Sequence, residues 1–81
     1  MRATILVRPK AGILDPQGEA VEASLRQLGF AVDEARVGRV VDLELEGSDP
    51  AEAREQIERM CRHLLANPLI ESYEISLEGH E

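Results

Sequence analysis

"RVGRVVDLELEG", residues 36 to 47, decides the architecture of this chain. From Val41 the stretch alternates cleanly, with Val41, Leu43 and Leu45 on one face and Asp42, Glu44 and Glu46 on the other. Gly38 interrupts the extended region that runs from residue 31 to residue 46, either as the tip of a tight hairpin or as a bulge inside one strand. A two-residue hairpin asks for Asn-Gly or Asp-Gly, and the pair here is Val37-Gly38. The pattern therefore favours one long strand bent at Gly38.

Working outward, "ATILVR" (3–8) is short, β-branched and closed by Pro9, which predicts a strand. Between Pro16 and Leu28, Val21, Leu25 and Leu28 recur at helical spacing with Ala20 and Ser24 beside them, one apolar stripe. Asp15 is placed to cap that helix, Pro16 to open it and Gly29 to stop it. Downstream, Asp49 and Pro50 repeat the opening, with Glu52 at the third helical position. Ala53, Ile57, Met60, Cys61 and Leu64 make the stripe of this second helix, and Asn67-Pro68 ends it. "SYEISLE" (72–78) then alternates again, with Tyr73, Ile75 and Leu77 on the apolar face, and Gly79 to Glu81 are expected to fray.

The order is strand, helix, long bent strand, helix, strand, in a single domain spanning residues 1–81. A sheet of three strands with both helices on one face gives an α+β, two-layer sandwich related to the ferredoxin-like fold. Twenty-one Ile, Leu and Val against one Phe and one Tyr make a thin aliphatic core. Small domains commonly gain burial by self-association, and the long strand's overhang would pair with a second copy, extending the sheet by dimerisation.

Composition excludes several classes. Sixteen acids against eight Arg and one Lys leave a net charge of −7, the wrong sign for a nucleic-acid partner. The single Cys61 makes no intrachain disulfide, and no Cys/His spacing suggests zinc. The opening "MRATILVR" is too short for a signal sequence and nothing reaches membrane-spanning length, so a cytoplasmic protein without a membrane partner is expected.

"KAGILDPQG" (10–18) lacks both GxxxxGK[ST] and GxGxxG, and Asp15 stands where an anion would sit, so it is a capped connection. Gly18 costs a helix about 1 kcal/mol relative to Ala. Its presence points to close packing on that turn, for instance by another chain. No hydroxyl, His63, His80 or Cys61 sits in an activating setting. Glu55–Arg59 and Glu58–Arg62 are spaced as pairs on a solvated helix face. Arg8, Lys10, Arg36 and Arg39 stand out on an acidic chain. They are either edge-strand charges that block aggregation or a patch for an acidic partner or phosphate.

"ILVRPKAGILDPQGEAVEASLRQLGF", "VGRVVDLELEG" and "CRHLLANPLIESYEI" together resemble the PurS family, small subunits of phosphoribosylformylglycinamidine (FGAM) synthase. The resemblance covers nearly the whole chain. Lys10, the run Leu14-Asp15-Pro16-Gln17-Gly18 and the run Leu65-Ala66-Asn67-Pro68 with Glu71 carry it, and Arg39 stands where the family leads one to expect Lys. It implies a non-catalytic dimer with no cofactor or metal on this chain. ATP, magnesium and formylglycinamide ribonucleotide would bind a large partner subunit, and ammonia would come from a glutaminase subunit. The surface contacts expected from these motifs are Lys10, Asp15, Gln17, Gly18, Arg36, Arg39, Asn67 and Glu71. Two other classes share a small sandwich. An ACT-like sensor would give heat with amino acids or nucleotides. An acylphosphatase-like enzyme would need the loop that Arg8 and Asn67 lack.

Overall fold

A computed structural model describes residues 1–78. The expected fraying of Gly79–Glu81 lies outside the described residues. Strand β1 (Arg2–Pro9) leads to helix α1 (Pro16–Gln27), strand β2 (Arg39–Glu44), helix α2 (Pro50–Met60) with a wider turn at Cys61–Leu65, and strand β3 (Glu71–Glu78). The sheet order is β2-β1-β3 and both pairings are antiparallel. In register, Ile5 faces Val41 on one side and Ile75 on the other, so alternate residues of all three strands share one apolar face.

That face is the core. Ala3, Ile5, Val7, Ile57, Cys61 and Ala66 are buried, with Val41, Leu43, Leu65, Tyr73, Ile75 and Leu77 packed around them. Only α2 covers it. The opposite face carries Thr4, Asp42, Glu44, Glu74, Ser76 and Glu78, and Thr4 Oγ1 donates to Asp42 at 3.0 Å.

Three expectations change. First, α1 does not lie on the sheet. Its stripe stays open, with Val21 42% and Leu28 73% exposed. The segment that follows folds back along the helix instead: Arg26 donates to the Val32 and Asp33 carbonyls, and Ala35 N–H donates to Glu22. The chain is consequently long, 48 × 26 × 14 Å, with a radius of gyration of 15.9 Å; a compact chain of this length would have about 12 Å.

Second, the expected long bent strand is not formed: β2 spans only Arg39–Glu44. Among the described residues there is no hairpin at Gly38, and residues 31–38 are irregular, with a bend at Asp33, and join no ladder. Gly38 is where this segment drops onto β1, since a Cβ there would run into the Val7 carbonyl oxygen and come within 3.2 Å of Arg8 Cα.

Third, Leu64 is not in the core; it is 83% exposed. The turn after α2 widens, with Ala66 N–H donating to Cys61 O at 3.0 Å, so one extra residue enters it. The buried sequence becomes Ala53, Ile57, Cys61, Ala66, and Leu65 turns inward in place of Leu64. The pairs Glu55–Arg59 and Glu58–Arg62 do not close either: among the described residues the i,i+4 ion pair is Arg26–Glu22, at 3.4 Å.

Candidate functional site

At the end of β1, two connections meet. Lys10 N–H donates to Ile70 O at 2.9 Å, and its ammonium donates to Pro68 O at 2.7 Å. One lysine thereby staples the β1–α1 loop to the α2–β3 turn. Each connection is also closed on itself. Ile13 N–H reaches Lys10 O at 3.2 Å, and Glu71 N–H reaches Asn67 O at 2.7 Å. Asn67 Oδ1 accepts from Leu69 N–H at 3.1 Å, the local turn chemistry that favours Asn there.

Asp15 does two jobs with its two oxygens. Oδ1 accepts from Gly18 N–H at 3.1 Å, the expected cap, and Oδ2 accepts from Val37 N–H at 2.9 Å. Those two backbone donors, Val37 first, with Arg36 nearby, hold its carboxyl below its ordinary value of 3.8. Gly18 is packed as its presence implied, but by this same chain rather than another: a Cβ would meet the Asp15 carboxylate and the Ala35 carbonyl oxygen.

Arg39, read from the sequence either as an edge-strand charge or as part of a patch, is exposed. Its guanidinium holds Glu71 bidentately, at 2.9 and 3.1 Å, and donates to Leu65 O as well. Glu71 Oε1 also accepts from Asn67 N–H at 2.8 Å. The result is a clasp joining the start of β2 to the turn before β3. Asp15, Gln17, Arg39 and Glu71 line one hollow of about 220 Å³ with Ile13, Leu14 and Ile70. Lys10, Gly18 and Asn67 lie around it; Arg36 borders two neighbouring depressions, one with Lys10, Asp15 and Glu34 and one with Arg8 and Arg39.

The Arg39 hydrogen bonds, with the Asn67 N–H second, lower the Glu71 carboxyl below its ordinary value of 4.5. A carboxylate favoured by folding contributes stability that is whole above that ordinary value and lost as pH falls through the lowered one. Glu71→Gln is therefore expected to lower the urea midpoint at neutral pH, with the gap to wild type closing as pH is taken from about 5 toward about 2. A gap that stays constant over that window would contradict the clasp.

The sequence reading missed the apolar members of this region. Leu14 is 72% and Leu69 is 82% exposed, on the two connections that Lys10 joins. It also missed Val40, 59% exposed. The signal was available, because Val40 shares its face with Asp42 and Glu44 and is the one apolar residue out of phase in "VVDLELE". Elsewhere, burial pushes the Cys61 thiol up, the behaviour of an unreactive core cysteine. Among the described residues no three His, Cys, Asp or Glu side chains converge to hold a metal, and no helix is long and apolar enough to cross a membrane.

Fold and site together define a small ferredoxin-like α+β domain whose polar network braces surface connections. The family model of PurS, phosphoribosylformylglycinamidine (FGAM) synthase, matches residues 2–79. The chain is 38% identical over 81 residues to the phosphoribosylformylglycinamidine synthase subunit PurS of Methanocaldococcus jannaschii, covering 99% of this chain and 98% of that one. It resembles the crystal structure of PurS from the same organism with a TM-score of 0.85 at 37% identity, over 99% of this chain and 98% of that one. It also resembles a chain in the structure of PurLQS from Thermotoga maritima, with a TM-score of 0.84 at 34% identity over 93% of each. The chain belongs to the PurS family.

Proposed function

We propose that this single-domain chain is the small, non-catalytic subunit of an FGAM synthase complex in purine biosynthesis. It organises an ATP-dependent synthetase subunit and a glutaminase subunit, so that ammonia from glutamine amidates formylglycinamide ribonucleotide. ATP and magnesium belong to the large subunit, and the setting is the cytoplasm. One observation supports this reading above the others. The stapled connections hold exposed Leu14 and Leu69 on a hydrogen-bonded frame, so docking there costs little additional ordering. In this reading Lys10, Asp15, Asn67, Glu71 and Arg39 shape the docking surface from behind, Gln17 lies within it, and Gly18 allows the close packing beneath it.

Self-association is part of the same reading. Among the described residues the α1 stripe is left largely open, β2 lies at an edge of the sheet, and residues 31–38 are irregular and join no ladder. A second copy answers all three needs at once. The experiment is light scattering of the chain alone and mixed with the large and glutaminase subunits. The expected result is a mass of at least two chains alone and one complex containing all three components. A monomer that binds neither subunit would overturn the proposal.

A further inference from the structure

Two apolar surfaces of this chain lie open, and they complement one another. The first is a groove of about 630 Å³ between β2 and α2. Leu43, Met60 and Leu64 make it apolar, Arg59 gives it a cation, and no carboxylate is among the residues that line it. Arg59 takes part in no ion pair among the described residues. The wider turn at Cys61–Leu65 supplies one wall, since it turns Leu64 outward. The second surface is the stripe of Val21, Leu25 and Leu28 on α1, continued by Phe30 at 60% exposure. This helix and the segment after it form one arm. Arg26 and Glu22 tie the two together, and Asp15 closes the base on Val37 at 2.9 Å. From Asp15 to Val37 the arm carries five acids against two arginines.

We infer that the α1 arm of one copy fills the β2–α2 groove of a second copy, and reciprocally, so that each sheet receives its second helix from its partner. The inference rests on the self-association reading above and assigns it two surfaces. A two-layer sandwich asks for more than one helix over three strands, and Val41, Leu43 and Leu45 are left half-buried by α2. The arm is not placed to fill the groove of its own chain. Its base is tied at the start of β2, whereas Leu43 lies five residues beyond Gly38, about 17 Å along an extended chain. A second copy removes that distance. Two β2 edges set antiparallel about an axis at Val41 bring Gly38 of one copy opposite Glu44 of the other, so the arm enters beside Leu43 of its partner. The two-fold axis makes the contact twice, which doubles the apolar area covered. Charge agrees, because an acidic arm meets a groove whose lining includes an unpaired arginine and no acid.

The test is sedimentation equilibrium of the full chain. Leu25→Asp and Leu64→Asp are each expected to weaken self-association by about 30-fold or more, because either change sets an unpaired carboxylate in the contact. Mixed together, the two variants are expected to associate about tenfold more tightly than either alone, since a mixed pair keeps one intact arm in one intact groove. Arg54→Glu, an exposed charge change on α2 outside the groove, serves as control and should leave association unchanged. Cysteine pairing reads the same contact without a buried charge. Leu25→Cys mixed with Leu64→Cys should give a disulfide-linked dimer in a glutathione buffer, and neither variant alone should do so. Crosslinking of either variant with itself would set like surface against like and overturn the inference. So would a dimer that both Asp variants leave unchanged, or a mixture with neither recovered association nor a crosslink; in each case the self-association reading still stands. A wild-type chain that stays monomeric would overturn both.

Discussion

Ile57→Ala is expected to destabilise the chain by about 3 kcal/mol, the middle of the range for emptying a buried aliphatic site. Ile57 is fully buried in α2, and among the described residues α2 and the turn after it supply the cover of the sheet. Its side chain packs in the same cluster as Ala3, Ile5 and Val7 of the central strand. The small neighbours Ala53 and Ala66 have no atoms with which to fill the void. A small domain has about 5–15 kcal/mol in total, so this one change removes a large share. The measurement is urea unfolding followed by far-UV circular dichroism, at more than one protein concentration because self-association adds apparent stability by mass action. A loss below about 1 kcal/mol would mean that the sheet has other cover than α2.

Gly38→Ala is the second large effect, and its mechanism differs. The new methyl group would be driven into the Val7 carbonyl oxygen, part of the central strand's backbone, which cannot rotate aside as a side chain can. Either β1 or the start of β2 must shift, at a cost of about 2 kcal/mol by analogy with overpacked sites. The shift also acts on the neighbours. Arg39, the next residue, would lose its alignment on Glu71, and Arg36 would lift away from β1. The expected result is lower stability together with a weakened pH dependence of the kind assigned to Glu71. Unchanged unfolding would show that the segment does not need to lie so close. Gly38→Ala and Glu71→Gln share one network, so their costs should fall short of additive in the double variant.

Much of this fold is legible in the sequence because its local signals are strong. Asp-Pro marks both helix starts, and both Asp side chains cap as the pattern requires: Asp15 to Gly18, and Asp49 to Ala51 at 3.0 Å. Alternation in "VVDLELE" and "SYEISLE" gives the strands and their buried faces. What fails is information that the local pattern does not contain. A stripe of Val21, Leu25 and Leu28 says which side of α1 is apolar but not what it meets. Leu64 and Leu65 are equally apolar, so the choice between them depends on the width of one helical turn rather than on composition. Gly18 announces a close approach without naming the atom that approaches. Arg39 and Glu71 are both visible as candidates, but their pairing spans 32 positions and comes only from the sheet order.

The site shows the same division. Its members are recognisable individually, as loop, cap and turn residues, while the bonds that join them are tertiary. Lys10 looks like a surface cation and proves to be the staple between two connections. The docking role proposed for this region depends on that rigidity as much as on the exposed leucines.

As proposed above, this chain couples two other subunits and leaves the chemistry to them. The most direct test measures amidine formation by the large and glutaminase subunits with and without this chain, once with glutamine and once with free ammonia as nitrogen source. Omitting the chain is expected to collapse the glutamine-driven rate and to leave the ammonia-driven rate nearly unchanged. Equal glutamine-driven rates in its presence and absence would contradict it.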